Sequence, residues 1–62
     1  MFDEYKNAIS LMREYRTKAA YNKRNAELLE DTKFIYVFEQ EIKSLDLTIE
    51  ILEEKLYQEE NR

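Results

Sequence analysis

Seven apolar residues in the second half of the chain, Ile35, Phe38, Ile42, Leu45, Ile49, Leu52 and Leu56, recur at alternating intervals of three and four. An α-helix turns once in 3.6 residues, so this spacing gathers all seven into one stripe, a heptad seam with Ile favoured at a and Leu at d. Such a stripe has to be covered by a partner helix. The first half of the chain offers one in a different register, with Tyr5, Met12, Ala19 and Ala26 seven apart and Ala8, Tyr15, Asn22 and Leu29 seven apart.

The chain has no Gly and no Pro in 62 residues, which removes the usual punctuation of turns and strands. The run Phe34, Ile35, Tyr36, Val37, Phe38 has strand propensity, but its Ile35 and Phe38 are in phase with five later apolar positions, and the expected class is all-α. Charge divides along the chain. Residues 1–25 carry six basic against three acidic side chains, a net of +3, while residues 26–62 carry four basic against eleven acidic, a net of −7. The two halves attract each other.

The step from the a position at 26 to that at 35 is nine residues instead of seven, which breaks a continuous seam. A turn at about 30–33 accounts for the slip, with Asp31 or Thr32 able to cap the second helix. The expected organisation is a single antiparallel hairpin: helix 1 over about 3–29, helix 2 over about 34–59. Residues whose numbers sum to about 64 then meet, setting Leu29 near Ile35, Ala19 near Leu45, Tyr15 near Ile49 and Met12 near Leu52. Lys23 lies near Glu39 and Arg16 near Asp46, exposed pairs that select orientation more than they stabilise. A second placement, at Asn22 to Asn25, is also open, because it leaves basic residues at one helix end and acids at the start of the next. An unbroken rod of about 90 Å is a third arrangement.

A domain of this size struggles to offset chain entropy with one core, and without Cys or His it has neither a disulfide nor the usual zinc ligands. Self-association is the remaining standard solution, so a homodimer forming a four-helix bundle is expected. Leu11, Tyr21, Leu28, Phe34, Val37, Leu47 and Ile51 fall outside the seams and are candidates for an oligomer or partner surface. The absence of Cys and His also excludes the common nucleophile–base pairs, and adjacent carboxylates such as Glu53 and Glu54 point about 100° apart on a helix. No catalytic residue, metal or cofactor is expected. The acidic N-terminus and the lack of a long apolar run give neither signal peptide nor membrane span, so the expected location is the cytoplasm.

Lys6, Arg13, Arg16, Lys23 and Arg24 run roughly along one side of helix 1, with Tyr5, Tyr15 and Tyr21 among them. Cations interleaved with aromatics can grip phosphates and stack bases, which gives an alternative reading as a nucleic-acid face, although the net charge of −4 opposes it. The architecture is similar to that of plasmid-encoded RNA-binding helical hairpins that dimerise into four-helix bundles. Ala8-Ile9-Ser10-Leu11-Met12-Arg13-Glu14-Tyr15-Arg16 resembles the N-terminal helix of phage-encoded late-transcription regulators of Gram-positive hosts, and Ile42 to Leu56 resembles their second helix. The sigma-like helix-turn-helix that follows in that family has no counterpart before Arg62. The resemblance implies a phage or prophage protein holding only the helical interaction part, acting in the host cytoplasm. The expected function is a non-enzymatic protein-interaction module, in its sharper form an effector that binds and inhibits or redirects a host protein.

Overall fold

A computed structural model describes residues 2–62. It contains two α-helices, α1 (Phe2–Leu28) and α2 (Thr32–Glu60), packed against each other along their length as an antiparallel hairpin with backbone extents of 48 × 14 × 10 Å. The Phe34 to Phe38 run is helical, and Asn22 to Asn25 lie inside α1, so the chain reverses at 29–31 and at neither of the other places open on sequence alone.

The turn is built by two interlocking caps. Glu30 adopts the left-handed conformation at φ 55°, its N–H donates to the Glu27 carbonyl at 3.1 Å, and the Asp31 N–H reaches back to the Ala26 carbonyl at 2.9 Å. This pair of bonds is a Schellman motif, which satisfies carbonyls that a helix end otherwise leaves unpaired. A left-handed residue with a Cβ is disfavoured by about 1–2 kcal/mol, so Glu30 occupies a position that suits Gly better. Asp31 then starts α2: its carboxylate accepts from the Phe34 N–H at 3.2 Å, and its carbonyl accepts from the Ile35 N–H at 3.0 Å. One residue therefore closes the first helix with its N–H and opens the second with both of its oxygen groups.

All seven residues of the α2 stripe are buried or half-buried against α1, with Ile49 the most enclosed. On α1 the buried face is rotated from the expected one. Tyr5, Met12, Ala19 and Ala26 line the seam with Ile9 buried and Ala8 and Lys23 half-buried beside them, whereas Tyr15, Asn22 and Leu29 of the expected row are exposed. Ile9 is only 7% exposed, whereas Tyr15 is 44% exposed and Leu29, which has left the helix for the turn, is 79% exposed. The physical reason is that turning the helix far enough to enclose Ile9 removes more apolar surface than Ala8 alone could, while Tyr15 and Asn22 would each bring polar atoms into the seam. Lys23 borders the seam half-buried because its aliphatic stem can lie along it while the ammonium reaches Glu39, and Arg16 reaches Asp46 from the exposed rim.

Candidate interaction surface

Rotating α1 by one residue gives the hairpin two unlike flanks. Along one, α1 cations meet α2 acids at three levels: Arg13 donates to Glu53 at 2.6 Å, Arg16 forks onto Asp46 through Nε and Nη2, and Lys23 lies 3.7 Å from Glu39. The hydrogen bond to Asp46, and secondarily its negative charge, hold the Arg16 guanidinium above the ordinary arginine value. Lys6 and Glu60 extend the same flank towards the open end of the hairpin, where they border a shallow cleft with Arg13 and Glu53.

The opposite flank has no such ladder. Near the turn, Phe34 and Phe38 stack with ring centroids 6.2 Å apart. With Leu29 and Ala26 they line an open cleft of about 300 Å³ whose polar edge is Asn22, Asn25 and Asp31. Val37 and Ile51 continue this flank on α2, and Tyr15 and Leu11 on α1. Phe34, Val37, Leu11 and Ile51 are all about half exposed, so each shows roughly one side of its surface to water. Lys18 lies over the Tyr15 ring at 5.9 Å from its centroid and interrupts the apolar strip near its middle.

Four of the seven residues expected at a partner surface, Leu11, Phe34, Val37 and Ile51, are thus brought to one flank, where Tyr15 and Leu29 join them from the expected seam. Tyr21 and Leu28 stand on the back of α1 and Leu47 on the back of α2, pointing away from the seam and from that flank. The five residues of the alternative nucleic-acid face are not brought together as a free cationic strip. Arg13, Arg16 and Lys23 are matched by Glu53, Asp46 and Glu39, and Arg24 projects from the back of α1. The Arg13–Glu53 pair escaped the sequence reading, although the acids at 39, 46 and 53 recur every seven residues and mark the row that α1 answers with cations.

Among the described residues, no group of three or more potential metal ligands clusters, no buried polar side-chain atom lacks a partner, and no helix is long and apolar enough to cross a membrane. Comparison with protein-family models, curated proteins and solved structures finds no match to the chain.

Proposed function

We propose that this chain is a non-enzymatic protein-interaction module, working in the cytoplasm, in which the charged flank fixes the hairpin and the apolar flank receives protein, a further copy of the chain included. The single observation that carries this reading is the segregation itself. Leu11, Tyr15, Phe34, Val37 and Ile51 lie exposed on the same side of a two-helix unit in which, among the described residues, only Ile9, Ala19, Ala26 and Ile49 are buried. An apolar strip with polar edges is the surface pattern of a protein contact. The effector form of the reading, in which the partner is a host protein that is inhibited or redirected, draws its support from the resemblance of the two helices to the helical part of phage regulators.

The test is site-specific photo-cross-linking in cell lysate, with the photoreactive residue placed at Val37 in one variant and at Glu54 on the exposed back of α2 in another. Protein adducts, whether to a copy of the chain or to another protein, are expected at Val37 and not at Glu54. Absence of any protein adduct at Val37, or equal yields from both positions, would overturn the reading.

A further inference from the structure

We draw no further inference here: the strongest candidate, the apolar flank of the hairpin with the open cleft of Leu29, Phe34 and Phe38 beside the turn, carries nothing beyond the interaction reading, because nothing in the structure shows what covers it.

Discussion

The two flanks of this hairpin are made by the same two helices in the same register, yet one closes on itself and the other stays open. On the closed flank three levels pair a long cation of α1 with a carboxylate of α2, so those groups at the rim of the seam satisfy each other. On the open flank the rim residues are Tyr15, Leu29, Phe34 and Thr48, backed by Leu11, Val37 and Ile51, and these have no charged counterpart to reach for. Ion pairs at an exposed rim add little stability but fix which helix faces which. Apolar rim residues add stability only when something covers them. The hairpin thus keeps its orientation from one side and leaves an uncovered apolar strip on the other.

The largest effect is expected where both flanks depend on one feature, the seam between them. Ile42→Asp or Leu45→Asp places an unpaired charge against α1 and should cost about 3 kcal/mol or more, enough to abolish the cooperative helical melt followed by circular dichroism. Glu54→Ala, on the exposed back of α2, should leave the melt unchanged within about 0.5 kcal/mol. Equal effects of the two would refute the register and with it the distinction between the flanks.

Next comes the open flank taken by itself. Leu11→Asp combined with Ile51→Asp should abolish the protein adducts made from a photoreactive residue at Val37 while the protein keeps its helical spectrum, since both side chains are about half exposed in the hairpin. A dissociation constant for the protein captured there raised at least about 100-fold is expected from placing two charges in an apolar contact. Loss of helicity in the dilute double variant would show instead that the flank belongs to the core of the single hairpin.

The α2 stripe and the two-helix class were legible in the sequence because Ile and Leu at three-four spacing admit one helical face and no strand. Orientation was legible as well, since Lys23 with Glu39 and Arg16 with Asp46 line up only in an antiparallel pair. The face of α1 was not. Its seam is made of small residues, Ala19 and Ala26 among them, so the apolar signal is weak and two rows one residue apart compete. A pattern of apolar and polar letters counts Lys23 as surface, whereas its stem makes it acceptable half-buried at the seam beside Glu39. The separation of the flanks depends on that choice of row, so it emerges only with the structure.

The turn connects the flanks without belonging to either, and it contains a correctable strain. Glu30→Gly removes the Cβ from a left-handed position and should raise stability by about 1 kcal/mol, seen as a higher melting temperature with unchanged solution mass. Asp31→Ala should act in the opposite direction by about 1 kcal/mol, because the Phe34 N–H loses its acceptor. If Glu30→Gly destabilised the hairpin instead, the entropy given to the unfolded chain would outweigh the relief of strain.

The smallest effect belongs to the closed flank. A double-mutant cycle on Lys23→Ala and Glu39→Ala should give a coupling of about 0.2–0.5 kcal/mol, shrinking further in about 1 M salt, since both side chains remain partly open to solvent. The Arg16 guanidinium is held above its ordinary value by its hydrogen bond to Asp46 and by that carboxylate's charge, so its share of the stability is complete below the ordinary value and is lost only as pH rises through the folded-state value, far above neutrality. Melting temperature should therefore show no decline from Arg16 between about pH 6 and 9. A coupling energy of several kcal/mol at Lys23–Glu39 would mean that the closed flank stabilises as much as it orients, and the contrast between the two sides of the hairpin would have to be redrawn.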